Sequence, residues 1–236
     1  MRNHFIFGDV NTLDYGIHLF DINTDESPES LAEEISIPGR NGNLLLQNYR
    51  FENMEHRYMG VIYENAAENM KWFRNAMLKN TDYQRLEDSI HPEEYYVARY
   101  IGGLEPKLTP DRQMVKFAIE FSRKPQRFLK SGEDEITLTS GQGIENPTMF
   151  KAKPLITVYG SGTLNVGSMT ITIASHSHPF INIDCDAMDA NYAGYNHNPD
   201  ITLSNNEFPT LNPGVTAISW SGGISSVHIK PRWWII

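Results

Sequence analysis

The chain has 236 residues, 40% of them hydrophobic and 21% charged, with a net charge of −9 and a single cysteine. That is the composition of a globular protein long enough for two domains of roughly 100–130 residues or one large all-β unit. An internal disulfide is excluded, and with no basic stripe in either half there is no clustered positive charge to grip nucleic acid, so specific nucleic-acid binding is not expected.

No apolar run approaches the ~20 residues that a membrane-crossing helix needs, and no membrane insertion is expected. The opening MRNHFIFGDV has too short an apolar stretch for a secretory signal. Asn146-Pro147-Thr148 carries the proline that disqualifies a glycosylation acceptor, and synthesis in a cytoplasm is the expectation.

In chain order, Phe5–Phe7 followed by Gly8-Asp9 reads as a strand and turn, and Gly16 to Phe20 as a second apolar run. Asp21, Asp25, Glu26, Glu29, Glu33 and Glu34, around Pro28, read as a solvated loop with a helical turn at 29–34; their spacing matches no calcium-binding EF-hand loop. Pro38-Gly39-Arg40-Asn41-Gly42-Asn43 concentrates turn formers before Leu44-Leu45-Leu46 and is expected to be an exposed loop between strands. It lacks the Lys-Ser/Thr and following helix of a phosphate-binding loop.

Arg57 to Tyr63 is a strand candidate. A helix starts at Asn65, an N-cap with Glu68 three residues on, and runs to about Lys79. Ala66, Met70, Phe73 and Met77 share one face, which seats the helix on a sheet, while Lys71, Arg74 and Lys79 mark the wet side. Glu94 to Ile101 is an aromatic strand ended by Gly102-Gly103, and a hairpin through Pro106–Arg112 leads to the clean alternation of Val115, Phe117, Ile119 and Phe121. His91 beside Asp88 and Glu94 reads as a loop histidine, since acid–base chemistry needs a pocket and a placed partner.

From Arg123 the sequence turns polar and reads as a connection. The domains are therefore placed at 1–130 and 146–236, with 131–145 as linker. Beyond it, Leu155–Tyr159, Gly160-Ser161-Gly162, Thr163–Val166 and Met169–Ile173 alternate strands with tight turns, and Phe180–Asp186 and Val215–Trp220 continue the pattern of a β-sandwich. Cys185 follows Ile181 and Ile183 at period two and reads as a buried small hydrophobe.

His176, His178 and His197, with Asp184 and Asp186 near in sequence, have metal-ligand character, but nothing in the sequence brings a third ligand to one face, so no metal and no cofactor are assigned. Met188 to Asn206 reads as a long polar loop with a short strand at Ile201-Thr202-Leu203, and its Asn and Tyr side chains, Tyr192 and Tyr195 among them, suit adaptable partner contacts. The apolar end, with Trp233 and Trp234, is expected to be covered by the second sheet, by the first unit or by another subunit. The fold class is thus mainly β with one helix.

Pro38-Gly39-Arg40-Asn41-Gly42, Leu86-x-Asp88 with Pro92 and Tyr95, the Phe117–Pro125 strand and junction, and Asn146-Pro147-Thr148 before Lys153 to Gly162 occur in an order shared with a known family. Phe208-Pro209-x-Leu211-x-Pro213-Gly214 and Pro231-Arg232-Trp233 extend the match over nearly the whole chain. Together they resemble the distal tail proteins of long, non-contractile-tailed bacteriophages and their prophages. The resemblance implies a β-sandwich-like N-terminal belt domain with one helix, six copies of which ring the tip of the tail tube, and a C-terminal galectin-like β-sandwich. It implies a structural hub in the virion tail, with tail tube protein above, tail-tip or baseplate protein below, and a receptor-binding protein as a further partner, while DNA passes through the lumen.

In that setting Arg40 and Asn41 of the 38–43 loop and Lys71 and Arg74 of the helix flank are the expected ring contacts, with Tyr192, Tyr195, Trp233 and Trp234 as further subunit or partner contacts. The alternative is a carbohydrate-binding module, with Tyr192, Tyr195 and Trp220 exposed on one sandwich face. An enzyme such as a cell-wall hydrolase would need two carboxylates about 5–9 Å apart in a cleft. The carboxylates here scatter over loops, so no catalytic residue is assigned.

Overall fold

A computed structural model describes residues 2–22, 27–110 and 113–236, without the side chains of Asp21, Ile22, Asn48 and Tyr49; Asp25, Glu26 and Arg112 lie outside the described residues. The chain forms two compact units, Met1–Arg127 with Ile236 and Phe128–Ile235.

The first unit contains β1 (Phe5–Phe7), β2 (Val10–Asn11), β3 (Ile17–Ile22), β4 (Ser30–Ile35), β5 (Leu44–Phe51), β6 (Met54–Ile62) and α1 (Ala66–Lys79). β7 (Gln84–Asp88), β8 (Glu94–Gly102), β9 (Lys107–Leu108) and most of β10 (Val115–Leu129) follow. Its main sheet runs in the order β2-β1-β7-β8-β10-β6-β3, with β9 also on β10. The sheet curls: Leu19 N–H of β3 donates to Asn3 O, just ahead of β1, at 3.3 Å.

Inside lie Phe5, Phe7, Tyr58, Phe73, Phe117 and Phe121, with ring centroids 5.4 Å apart for Phe5 and Phe121 and 5.6 Å for Phe73 and Phe117. Such pairs add about 0.5–1.5 kcal/mol each beyond area burial. Gly60 pairs with Phe117 across β6 and β10, and a Cβ there would stand 2.6 Å from the Phe117 ring, so glycine makes room for the aromatic core.

The helix buries Ala66, Met70, Phe73 and Met77, the face that the spacing indicates. Its cap differs from expectation. Asn65 sits in the left-handed region with φ 48° and makes no side-chain capping bond, because that backbone aims the side chain away from the first-turn amides. Asn69 Nδ2 instead donates to Glu64 O at 3.0 Å.

Two loop assignments are corrected. Residues 30–35 form an exposed strand, paired with β5 in a two-stranded sheet of their own, because hydrogen bonding to the 44–51 run overrides their acidic, turn-like composition. Residues 123–129, expected as connection, continue β10: Arg123 and Pro125 keep the buried parity of Val115 to Phe121. Pro125 lies two residues past Arg123, the last position paired with β6, so its missing N–H leaves the register mapped between those strands intact.

The second unit contains β11 (Ile136–Leu138), β12 (Gly143–Asn146), β13 (Leu155–Tyr159), β14 (Gly162–Val166), β15 (Met169–Ile173) and β16 (Ile181–Asp184). It continues with β17 (Asp189–Tyr192), β18 (Tyr195–Asn196), β19 (Ile201–Leu203), β20 (Gly214–Gly222), β21 (Ser226–Lys230) and β22 (Trp234–Ile235). A sheet in the order β11-β21-β13-β16-β17-β18 and one in the order β12-β20-β14-β15-β19 share a core of Ile156, Val158, Leu164, Ile171, Ile183, Ile218 and Val227.

Residues 131–145 are not a linker, since β11 and β12 within them pair with β21 and β20. Their apolar positions Leu138 and Ile144 alternate with polar ones and enter the core, a pattern too short to stand out beside the acidic run 133–135. The buried Asn146 closes its own turn. Its Nδ2 donates to Phe150 O and Leu211 O at 2.8 and 3.0 Å, and its Oδ1 accepts from Thr148 N–H at 2.9 Å.

Residues 188–206, expected as a loop with a short strand at 201–203, hold that strand as β19 and are further ordered into β17 and β18. β17 and β18 join through Ala193-Gly194, both at positive φ, as a two-residue hairpin turn requires.

Candidate assembly surfaces

The β4–β5 hairpin follows from Leu44-Leu45-Leu46. On a strand, three successive leucines must point to both faces, so no single sheet can bury them all. Ile35 opposes Leu44 and Glu33 opposes Leu46, while Glu34 opposes Leu45 on the other face. Leu45 is 53% exposed, and Leu31, Ile35, Leu44 and Leu46 are exposed with it. The connecting residues 36–43 hold Arg40 and Asn41, both exposed as expected, and Asn43 Nδ2 donates to Glu34 Oε2 at 2.8 Å at the root of this loop.

On α1, Lys71 and Arg74 face outward and line a cleft of about 240 Å³ with Ala67, Met70, Asn75, Pro106, Leu108 and Val115. Among the described residues these two are the only charged groups lining it. Trp72, 55% exposed, and Leu78 extend the helix's outer apolar surface. Neither belongs to the stripe that packs on the sheet, so helical spacing alone does not single them out.

The second unit holds Trp233 and Trp234 itself. Trp233 is 4% exposed in its core, and Leu129 N–H donates to Trp233 O at 2.9 Å. Trp234 is half-buried, stacked on Phe150 at 4.3 Å with Nε1 donating to Lys151 O at 3.0 Å. Arg232 clamps Asp184 with two bonds of 2.7 and 2.8 Å, which hold the Asp184 carboxyl below its usual range. A Cβ on Gly132 would fall on the Trp233 backbone, so glycine permits this close approach.

Tyr192 and Tyr195 face each other across the β17–β18 turn; Tyr195 is 74% exposed, while Tyr192 stacks on His178 at 4.6 Å. Trp220 lies on β20, in the other sheet, so the three aromatics named for sugar binding do not share one sandwich face. His178 lies 4.7 Å from His197 and 6.2 Å from His176, ring to ring, but Asp184 is taken by Arg232 and Asp186 by Lys153 at 3.1 Å. Among the described residues no group of three or more His, Cys, Asp or Glu could hold a metal ion.

A buried polar cluster in the first unit was also missed. Asp88 accepts from Ile90 N–H and His91 N–H, both at 2.9 Å, and from Tyr58 OH at 3.3 Å, so it closes a turn. His56 is 2% exposed and Arg123 1%, the latter with its guanidinium 4.6 Å from the Tyr96 ring. Burial first, then Arg123, pushes the His56 pKa down to about 4.

No family model matches the sequence, and no curated protein matches it. Solved structures do. The crystal structure of the SPP1 Dit protein (gp 19.1), described as a paradigm of hub adsorption apparatus in phages infecting Gram-positive bacteria, aligns over 100% of both chains with a TM-score of 0.75 and 11% identity. The fold is that of the SPP1 Dit protein. Chains of the phage P2 baseplate in its activated conformation, with Ca and with Sr, give TM-scores of 0.52 and 0.51 at 11% and 10% identity. They cover 97% and 96% of this chain and 98% and 97% of those chains. At such identity the shared property is the backbone arrangement, carried by alternation and turns that many sequences satisfy.

Proposed function

We propose that the chain is a structural hub at the distal end of a long-tailed phage or prophage tail. The end-to-end likeness of its fold to the SPP1 Dit hub protein carries this reading. Six copies close into a ring that joins the tail tube protein to the tail-tip or baseplate protein, with a receptor-binding protein as a further partner and synthesis in the host cytoplasm.

Physical support comes from the first unit. An apolar hairpin exposed on both faces suits a surface repeated by rotation, and the net charge of −9 lets DNA pass through a lumen without sticking. Arg40, Asn41, Lys71 and Arg74 belong to the ring contacts in this reading. Tyr195, on the β17–β18 arm, suits a receptor-binding protein, and Tyr192 stands opposite it on the same hairpin; no catalytic step or cofactor is part of the function.

Native mass measurement across concentration, followed by electron-microscopic imaging, tests it. Rings with a central hole are expected. Rings joined through the second unit, or substrate turnover abolished by one side-chain change, would overturn it.

A further inference from the structure

We infer that the β4–β5 hairpin of one copy lies in the cleft between α1 and the 106–108 segment of the next copy, so that one hairpin-into-cleft contact repeats around the ring. The ring itself comes from the hub reading; the two surfaces are features of the single chain.

The hairpin cannot be stable as an isolated ribbon. Two strands alone are marginal in water, and here Leu44, Leu45 and Leu46 leave apolar side chains on both faces. Something must cover it. Its own cleft does not, because the leucines are exposed within the chain.

Charge selects the cover. Glu33 and Glu34 sit directly opposite Leu46 and Leu45, so the apolar ribbon is edged with negative charge. The α1 cleft offers an apolar floor of Met70, Leu108 and Val115 with Lys71 and Arg74 at its rim, and among the described residues no acidic group lines it. The larger hollow of about 500 Å³ near Phe20 and Met59 is mixed in charge, with Arg57, Lys107 and Lys116 against Glu105 and Glu120, so two carboxylates there would meet the hairpin's acidic edge.

Reach is adequate, because β5 alone has eight residues, roughly 27 Å at about 3.4 Å per residue. A contact between two different surfaces is head-to-tail, the type that closes rings.

Cysteine crosslinking in the full chain tests this directly, since Cys185 is buried and engineered thiols would be the accessible ones. The double variant Leu45→Cys/Asn75→Cys, oxidised at a concentration where native mass shows assembly, is expected to give a denaturing-gel ladder that stops at the ring size. Each single variant should give none, and a mixture of the two singles should give dimers only. Independently, Lys71→Glu/Arg74→Glu should weaken association at least tenfold, and adding Glu33→Lys/Glu34→Lys in the same chain should restore it, which a folding defect would not allow.

Rings without a ladder and without rescue would overturn the docking and leave the hub standing. A double variant crosslinked only within single chains would also overturn it, by placing the hairpin in its own cleft. A wild-type chain that stays monomeric at millimolar concentration, together with a double variant that yields no ladder, would remove the ring and the docking together.

Discussion

Acidification offers a quantitative test of the first unit's buried polar cluster. His56 lies on β6 opposite Phe121, 2% exposed, with its ring 4.6 Å from Tyr58. Burial, then the positive charges of Arg123, His91 and Arg127, lowers its pKa from 6.5 to about 4, against the opposing pull of Asp88. Above pH 6.5 the imidazole is neutral in both folded and unfolded chains. As pH falls below that value the unfolded chain takes up a proton that the folded chain refuses, so stability is lost between pH 6.5 and about 4 and levels off below.

The slope approaches about 1.4 kcal/mol per pH unit, and the full loss is about 3 kcal/mol. Urea unfolding of dilute wild-type protein and of His56→Gln, followed at the first unit's Trp72 from pH 7.5 to 4, measures it. Carboxylates elsewhere are common to both proteins and cancel in the difference. The wild type should lose about 3 kcal/mol relative to the variant, most of it by pH 4.5. Parallel stability curves would refute the burial of a neutral imidazole.

Two further expectations follow from the cores. Phe73→Ala removes the helix side chain that touches Phe5, Tyr15 and Phe117 and should cost the first unit about 3–5 kcal/mol in denaturant unfolding; a cost below about 1 kcal/mol would mean that α1 is not seated as described. Cys185, whose thiol burial pushes up to about 12, should resist a thiol reagent at pH 8 in the native protein and react fully in denaturant, and rapid native labelling would contradict its place in the second core.

What the sequence shows plainly is whatever periodicity controls. The faces of α1 and the strands 155–159, 162–166 and 169–173 are readable because alternation and turn residues agree over their whole length. β4 escapes because Glu33 and Glu34 look like a solvated loop, and only pairing with β5 makes them strand. β10 runs on through Arg123 because a guanidinium over the Tyr96 ring can hold a core position, which hydropathy alone does not reveal. His56 was in reach of the same alternation: Met54, His56 and Tyr58 share a buried parity, but a strand started at Arg57 leaves the histidine outside. The turn at Ala193-Gly194 carries a hairpin signal that the surrounding Asn and Asp residues obscure.

The chain has two concentrations of apolar side chains that a sequence reader would mark as adhesive, the leucines at 44–46 and the tryptophans at 233–234, and the structure treats them oppositely. The tryptophans are needed at home. Arg232 is pinned by Asp184, its N–H donates to Gly132 O at 2.7 Å, and Trp233 then completes the core of the second unit. Opening that arrangement to expose Trp233 to a partner would forfeit core packing and leave Asp184 without its cation, so association through Trp233 carries a cost that association through the hairpin does not. The leucines have no such claim on them, because β4 and β5 belong to neither core. Covering them costs no existing contact and removes apolar surface from water, so if copies of this chain assemble, the first unit is where assembly gains the most and disturbs the least.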